Sequence, residues 1–297
     1  MPGKFHKLIV GSLFSMTLVL CAVAPLGSAV AAPLRVQAPE ADPLAGLPVS
    51  ECLAMASLPP YRSNIIKVAN IVGVAGEALA PKDVRITYVG HSTFRIESPG
   101  GVTIATDFNG YAGIEGMPTV VTMNHAHSSH YTDFVDPSVE YVLRGWDPEG
   151  GEAKHRVVVD DVYIRNVTTD IRSDFGTMEA NGNSIFIFEI AGLCIGHLGH
   201  LHHRLTDGHY AMIGRLDVLF VPVDGTYTMG HDGMIDIAKR VRASLLIPMH
   251  YFGPGRLSVF LEAMRSAFNV EINPEPTVVI SQKTLPQSPK VLVLPGY

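Results

Sequence analysis

The feature that most restricts the fold is a series of short apolar runs, each broken by a turn. From residue 83 onward, the runs VRITYVG, STFRIES, VTIATDF and TVVTMN alternate with turns that contain Gly or Asp. Runs rich in β-branched and aromatic residues between such turns are typical of β-strands. SIFIFEIAGLCIG, LDVLFVPVDG and LLIPM continue the pattern, and MIDIAKRVRAS and LSVFLEAMRSAF resemble helices. Two groups of strands, with helices between and after, predict a layered α/β architecture with helices covering the sheets.

The length limits this architecture to one domain of ordinary size or two small ones. The chain has 297 residues, of which 47% are hydrophobic. We expect a single domain over residues 83–297. A leader rich in Pro and Ala, followed by a short helical extension, is expected over residues 32–82.

The N-terminus has the three parts of a secretory signal peptide. Lys4 and Lys7 precede an apolar run, and small residues that include Ala29 and Ala31 follow it. This order predicts export with cleavage after Ala31, and an uncleaved membrane anchor is the alternative. We therefore expect residues 1–31 to be a signal peptide and the mature protein to be periplasmic or secreted, without a stable membrane anchor.

Charge and cysteine content narrow the partners and the compartment. The net charge is −6, and removal of Lys4 and Lys7 with the signal peptide would make it −8. An acidic, exported chain is a poor candidate for binding nucleic acid, which depends on clustered Lys and Arg. Cys52 and Cys194 remain after cleavage. They could form a disulfide in an oxidising compartment, but the apolar neighbours of Cys194 fit an inert buried thiol equally well.

Histidines follow the ends of several predicted strands. Of the thirteen in the chain, those at strand ends are His91, His125, His127, His130, His197, His200, His202, His203 and His250. Loops at strand ends are where binding sites are commonly built, and neutral imidazole is a ligand for Zn, Fe, Ni and Cu. The run HAHSSH at residues 125–130 therefore predicts a metal site. Isolated histidines such as His155 and His231 are expected on the surface.

Several motifs, in this order, resemble the metallo-β-lactamase superfamily. They are GHSTFRIESPGGVTIATDFNG, HAHSSH, HLGHLHHRLT, VPVDGTYT and IPMHYF. These motifs lie between residues 90 and 252, and the resemblance extends over residues 83–297. They are similar in particular to the branch that includes ascorbate-6-phosphate lactonase. The resemblance implies an αββα sandwich with a metal site along one edge of its two sheets, and metal-dependent hydrolysis.

Two positions depart from the acidic pattern of that superfamily. Ser129 stands where the first motif has an aspartate, and His200 stands where this branch has another. Two dications that lie close together repel each other, and carboxylates help to neutralise that repulsion. We therefore expect one tightly held ion and a second that is weak or conditional. Zinc is favoured, and manganese or iron is possible.

The resemblance implies six histidine ligands in two sets of three. The first set is His125, His127 and His197, which leaves a position open for water. The second, His130, His200 and His250, forms only if His200 takes the place of the missing bridging aspartate. When they do not bind metal, His130 and His200 are also candidates for catalytic proton transfer.

Five further residues are expected near the substrate or behind the ligands: His91, Asp107, His202, His203 and Asp224. Asp224 would accept a hydrogen bond from a ligand histidine and fix its tautomer. His202 fits a further ligand and a supporting residue equally well.

The sequence favours an exported hydrolase in which metal-activated water attacks a lactone, thioester or phosphate ester. Because its ligands are neutral, the ion stays electropositive, which predicts an anionic or strongly polarised small-molecule substrate. Arg144 and Arg172 lie between the motifs and could supply anion contacts, although surface positions are expected for both. The alternative is a metal-binding protein on the same fold without catalysis, because both acids are replaced.

Overall fold

A computed structural model describes residues 49–54, 78–172 and 176–296. Residues Gly46–Tyr297 form one compact unit. The expected signal peptide at residues 1–31 lies outside the described residues, as does most of the expected extension at residues 32–82.

The first sheet has six strands in the order β13-β1-β2-β3-β4-β5. Their bounds are Val84–Gly90 for β1, Thr93–Glu97 for β2, Thr103–Ala105 for β3, Val120–Met123 for β4, Tyr141–Arg144 for β5 and Thr277–Ile280 for β13. Strands β13, β1, β2 and β3 pair antiparallel, whereas β3, β4 and β5 are parallel.

The second sheet has eight strands in the order β12-β14-β11-β10-β9-β8-β7-β6. Their bounds are Arg156–Val159 for β6, Val162–Arg172 for β7, Met178–Ile190 for β8, Leu193–His197 for β9, Val218–Pro222 for β10, Leu245–Met249 for β11, Asn269–Ile272 for β12 and Lys290–Val293 for β14. The half from β9 to β12 is parallel, and β6 to β9 are antiparallel.

Four helices are described: α1 at Glu51–Ala54, α2 at Asp207–Ile213, α3 at His231–Val241 and α4 at Pro254–Met264. The sequence predicts the last one at residues 257–268, but it begins three residues earlier. Pro254 stands in its first turn, where a missing N–H costs nothing. No helix among the described residues is both long and apolar enough to span a bilayer.

Two apolar layers hold these elements together. Between the sheets, the rings of Phe94 and Phe220 stack with their centroids 4.0 Å apart, surrounded by Ile, Val and Phe side chains from both sheets. On the outer face of the second sheet, buried residues of α3 and α4, such as Met234 and Phe260, pack against β9, β10 and β11. The two-sheet α/β sandwich predicted from the sequence is confirmed.

The N-terminal segment at residues 49–54 is fastened to the second sheet. Cys52 and Cys194 form a disulfide, so the alternative of an inert buried thiol is wrong. Beside it, the Glu189 carboxylate accepts hydrogen bonds from the Ser50 hydroxyl at 2.5 Å and the Glu51 N–H at 2.9 Å. The covalent and polar links together fix this segment to β8 and β9, which carry Glu189 and Cys194.

Candidate metal centre

The candidate site lies where strands of both sheets end at one edge of the sandwich. His91 directly follows β1, Asp107 follows β3, and the run from His125 to His130 follows β4. From the second sheet, Asp224 follows β10 and His250 follows β11. Since the carboxyl ends of neighbouring parallel strands lie at the same edge of a sheet, these side chains converge. This explains why histidines separated by more than a hundred residues meet.

Four histidines form a group at this edge. A ring nitrogen from each of His91, His127, His130 and His250 lies within 4.8 Å of the others. His130 and His250 are fully buried at 0% exposure, and His91 and His127 are half-buried. We call these four residues the histidine cluster. They offer only neutral nitrogen donors, with no carboxylate among them.

A buried carboxylate fixes the tautomer of His130. Asp107 Oδ2 lies 2.6 Å from His130 Nδ1, and Asp107 Oδ1 accepts a hydrogen bond from the Asn124 amide at 2.8 Å. Burial alone would raise the pKa of Asp107, but His130 and His197 nearby hold that pKa below its ordinary value. The carboxylate is therefore ionised and accepts the Nδ1 proton of His130. The Nε2 lone pair of His130 consequently faces the histidine cluster.

A second carboxylate stands behind His250. Asp224 Oδ1 lies 3.1 Å from His250 Nδ1, and Asp224 also accepts hydrogen bonds from the backbone N–H groups of Thr226 and Tyr227. Burial would raise the pKa of Asp224, but the hydrogen bonds from His250, Thr228 and the backbone hold it well below its ordinary value. The Asp224 carboxylate is therefore ionised and lies beside the His250 ring, whose Nδ1 has no well-aligned hydrogen bond in the described part of the chain. The proposed role of Asp224 as a partner for a ligand histidine fits this geometry.

Ser129 acts on His127 in a corresponding way. Its hydroxyl lies 2.7 Å from His127 Nδ1. When that hydroxyl accepts the Nδ1 proton, Nε2 of His127 becomes the nitrogen with a lone pair. The serine at the position of the missing aspartate thus orients a histidine and contributes no charge.

The Nε2 atoms of His130 and His250 are close enough to bind one ion together. They face each other at 3.1 Å. Nε2 of His130 carries a lone pair because the Nδ1 proton is directed at Asp107, and this lone pair accepts the Nε2 proton of His250 in the metal-free protein or binds a cation when that proton is on Nδ1. Two nitrogens at about 2.0–2.1 Å from a tetrahedral zinc ion are roughly 3.3 Å apart. The spacing of these two nitrogens therefore fits a transition-metal ion. The rings of His91 and His127 are more widely spaced and would have to move closer when the ion binds.

His200 lies against the histidine cluster with its ring unpaired. It is 4% exposed, and neither of its ring nitrogens has a hydrogen-bond partner in the described part of the chain. Its ring centroid is 4.7 Å from that of His130 and 4.9 Å from that of His250. Burial, and to a smaller extent the neighbouring histidines, lower the pKa of His200 far below the ordinary value. A neutral buried imidazole without partners needs a ligand to satisfy it.

Backbone strain is concentrated at this edge. His91, Asp107 and His250 have φ values of 50°, 42° and 55°, in the left-handed region that residues other than Gly rarely adopt. The carbonyl of His91 accepts the His250 N–H at 2.6 Å, which ties the ends of β1 and β11 together. Residues in such conformations persist where the surrounding structure holds them, often at functional sites.

Three expected ligands, His125, His197 and His200, lie outside the histidine cluster. His125 Nδ1 lies 2.5 Å from Glu179 Oε1, and its ring stacks on Trp146 with centroids 5.0 Å apart. His197 is fully buried, but its Nε2 bonds the Ser92 carbonyl at 2.9 Å and its Nδ1 accepts the Gly199 N–H at 3.0 Å. The expected set of His125, His127 and His197 is therefore not the arrangement in the structure. His91 takes a position among the donors instead.

His202 and His203 bond the backbone. His202 Nδ1 accepts the Arg172 N–H at 2.9 Å, and its Nε2 donates to the Tyr227 carbonyl. Burial, followed by the charge of Arg172, lowers the pKa of His202 to about 4. His203 accepts the Asp170 N–H and bonds the Arg204 carbonyl. Both side chains hold loops next to the site, which is the supporting role that the sequence left open for His202.

Sequence reasoning missed the supporting residues Ser92 and Asn124 and undervalued Ser129. Ser92 contributes its hydroxyl, 3.2 Å from His130 Nδ1, and Asn124 bridges Asp107 to the Ser184 N–H of the second sheet. Asn124 lies at the end of a predicted strand, directly before the HAHSSH run. A position at a strand end is also what identifies the histidines as candidates. Ser129 follows His127 by two residues, and this short separation is the signal in the sequence that the two side chains can bond.

Comparisons with known proteins agree with this fold. The family described as "Beta-lactamase superfamily domain" matches residues 85–250. A UPF0173 metal-dependent hydrolase of Pelotomaculum thermopropionicum is 26% identical over 195 residues, covering 57% of this chain and 84% of the relative. A crystal structure from Thermotoga maritima, of a candidate zinc-dependent hydrolase of the metallo-β-lactamase superfamily, is 29% identical. The match covers 71% of this chain and 98% of the Thermotoga maritima chain, with a TM-score of 0.51.

A third comparison bears on the fold alone. A metal-dependent hydrolase candidate from Parabacteroides distasonis is 14% identical. The match covers 73% of this chain and 94% of the Parabacteroides chain, with a TM-score of 0.52. Because the family match covers more than half of the chain, the protein belongs to the metallo-β-lactamase superfamily. The relatives described above carry the description of metal-dependent or zinc-dependent hydrolases.

Proposed function

We propose that this protein is an exported metal-dependent hydrolase that cleaves a small anionic or strongly polarised ester, such as a lactone, thioester or phosphate ester. The observation that carries the proposal is the histidine cluster, in which four ring nitrogens lie within 4.8 Å of one another and the Nε2 atoms of His130 and His250 face each other at 3.1 Å. Membership of the superfamily supports metal-dependent hydrolysis as the class of reaction.

The ion is proposed to be held by His91, His127, His130 and His250. Imidazole donors suit zinc, and we propose one zinc per chain, with manganese or iron as the alternatives. When bound, the ion supplies Lewis acidity, which polarises an ester oxygen and makes water nucleophilic near neutral pH. With the Nδ1 atom of His130 committed to Asp107, we assign His130 to ligation rather than to proton transfer.

His200 is the residue proposed to act on the reactants. Its ring borders both the histidine cluster and an adjoining cleft, and it offers one nitrogen lone pair and one N–H without protein partners. A neutral imidazole in this position can accept a hydrogen bond from the attacking water or donate one to a substrate oxygen. Asp107, Asp224 and Ser129 orient the ligands and do not contact the reactants.

Export is proposed from two independent features. The first 31 residues have the order of a signal peptide, and Cys52 is paired with Cys194. Disulfides persist in the periplasm and outside the cell and are rare in the cytosol of most organisms. A fusion of the N-terminal segment to a reporter that is active only outside the cytosol tests this part. An inactive fusion whose reporter is retained in the cytosol would contradict it.

The hydrolase proposal is tested with purified protein, loaded with zinc and stripped of metal, on a panel of lactones, thioesters, carboxylic esters and phosphodiesters. We expect hydrolysis only in the loaded form. His200→Ala should retain zinc and lose about 100-fold or more in kcat, in the range typical of acid–base groups. His203→Ala, which removes a histidine outside the cluster, should lose no zinc and little activity. If loaded protein hydrolysed no member of the panel, the proposal would fail.

The replaced acids favour a second candidate, a metal-binding protein without catalysis. Ser129 and His200 stand where relatives with the ordinary motif carry aspartate, which removes two negative charges from the site. The double substitution of Ser129→Asp with His200→Asp separates the two candidates. Hydrolysis that appears only in the double variant would identify the natural protein as a metal binder. Hydrolysis by the natural protein that is lost in the double variant would support the enzyme.

A further inference from the structure

A cleft of about 360 Å³ opens beside the histidine cluster. His127 and His200 form the wall that it shares with the cluster, and Arg172, Thr226 and Tyr227 are among the residues on its other sides. A small molecule in this cleft would therefore contact His127, a member of the cluster, and the unpaired ring of His200. The cleft is large enough for part of a drug-sized ligand, since such sites have volumes of about 300–1,000 Å³.

Arg172 is held in place at the edge of this cleft. Its Nη2 donates to the carbonyls of Thr226 and Tyr227, both at 3.0 Å. A guanidinium has five N–H donors, and those on Nε and Nη1 of Arg172 have no partner among the described residues. The side chain also forms no ion pair with a carboxylate in that part of the chain. Two backbone carbonyls thus orient the charged group while leaving the N–H groups that suit an anion.

The charge of the cleft is set by Arg172. None of the described residues that line it is acidic. The carboxylates of Asp107 and Asp224 are fully buried behind His130 and His250. An anion that enters the cleft therefore meets one fixed positive charge and no negative charge among the described residues that line it.

Two exposed aromatic rings stand beside the cluster on the same side. Tyr227 and Phe252 are 60% and 61% exposed, and their ring centroids lie 5.4 Å apart in an edge-to-face arrangement. Phe252 is also 5.5 Å from the ring of His250 and 5.6 Å from that of His91. Large exposed aromatic rings next to a site commonly gain contact with a flat or apolar group of a ligand.

We propose that the substrate is an ester that carries a separate carboxylate or similar anion, bound by Arg172, and an aromatic or alkyl group that packs on Tyr227 and Phe252. This substrate class rests on the proposed function. Hydrolysis breaks the ester C–O bond, the oxygen of water forms the new acid, and the leaving oxygen takes up a proton, so no further co-reactant is required. Arg172 binds substrate in this account and takes no part in bond breaking.

The test compares two chromogenic esters that differ in one charge. 4-Nitrophenyl butyrate is neutral, and the mono-4-nitrophenyl ester of succinic acid has a similar acyl chain that ends in a carboxylate. With zinc-loaded protein, we expect kcat/KM to favour the anionic ester by about 10-fold or more, since the Arg172 guanidinium can donate charge-assisted hydrogen bonds to its carboxylate. Arg172→Gln should lower that preference about 10-fold, through KM.

Two further variants sharpen the test. Arg172→Lys keeps the charge but loses the planar fork, and it should retain part of the preference. Arg265→Gln removes an exposed arginine that pairs with Glu262 on α4, and it should leave the preference unchanged. Phe252→Ala should raise KM for both esters. A preference that is the same in Arg172→Gln as in the natural protein, with near-native circular dichroism, would overturn the proposal.

Failure of the hydrolase itself would give a different result. If neither ester is hydrolysed, binding of phenylphosphonate to zinc-loaded protein is measured by calorimetry. A Kd that weakens about 10-fold in Arg172→Gln but not in Arg265→Gln would support the anion subsite and count against the hydrolase. No binding, or equal Kd in both variants, would overturn the subsite as well.

Discussion

The carboxylate of Asp107 is the most informative single group to change. It is fully buried and accepts hydrogen bonds from His130 Nδ1 at 2.6 Å and from the Asn124 amide at 2.8 Å. Asp107→Asn keeps the size of the side chain but has one acceptor oxygen in place of two. Its new NH₂ group must face either the Asn124 NH₂ or His130 Nδ1. In the second arrangement the proton of His130 moves to Nε2, where it blocks ligation.

The size of the effect follows from these bonds. Loss of a carboxylate behind a ligand histidine typically weakens metal binding by about 10–100-fold, or about 1.4–2.7 kcal/mol. A metal present at 100 times its Kd raises the free energy of unfolding by about 2.7 kcal/mol. If Kd rises 100-fold at the same concentration, that increase falls to about 0.4 kcal/mol. A buried donor without a partner costs a further 1–3 kcal/mol or so in the metal-free protein.

The assay is urea unfolding with and without zinc, together with competition against a chelator of known affinity. Asp217→Asn is the matched control, since Asp217 is a buried carboxylate that accepts the Cys194 N–H at 2.8 Å far from the histidine cluster. We expect both variants to lose stability and only Asp107→Asn to lose zinc affinity. If folded Asp107→Asn protein bound zinc with the same Kd as the unsubstituted protein, the role assigned to this carboxylate would be refuted.

Three further outcomes are expected. The pKa values of His91 and His202 are lowered by burial to about 3 and about 4, below the unfolded value of about 6.5, so the unfolded chain takes up more protons. The free energy of unfolding should therefore fall from pH 6.5 toward pH 4, and a flat urea midpoint between pH 7 and pH 5 would contradict this. Replacing Cys52 and Cys194 by Ala should lower stability by about 2–5 kcal/mol in thermal unfolding, because the disulfide closes a separation of 142 residues. Gly199→Ala should impair folding, since Gly199 has φ +61° and an added Cβ would lie 2.4 Å from two buried asparagine amides; soluble, metal-binding Gly199→Ala protein would contradict it.

The fold could be predicted from the sequence because its signals are local. Apolar runs such as those of β1 and β4 are bounded by Gly, Asn or His, and each became a strand near the predicted position. The start of α4 was displaced because the apolar pattern begins at Leu257, whereas the helix begins at Pro254, which carries no apolar signal. Element boundaries depend on such details of the first turn.

The choice of side chains in the site was harder to predict. The positions of the histidines at strand ends were visible, but the direction of each ring depends on partners distant in sequence. His125 bonds Glu179, which lies 54 residues away, and His197 bonds the carbonyl of Ser92, 105 residues away. His91 joins the cluster because its left-handed backbone turns it toward β11. Spacing within a motif contains no information about these long-range bonds.

The central claim is that the metal is held by the histidine cluster that includes His91, and it is tested most directly by zinc affinity in two single variants. His91→Gln removes a donor of the cluster, and His125→Gln removes a histidine of the HAHSSH run that bonds Glu179 instead. Elemental analysis and chelator competition should give one zinc per chain for the natural protein, binding weakened at least about 10-fold in His91→Gln, and natural affinity in His125→Gln. Zinc lost in His125→Gln and retained in His91→Gln would contradict the account.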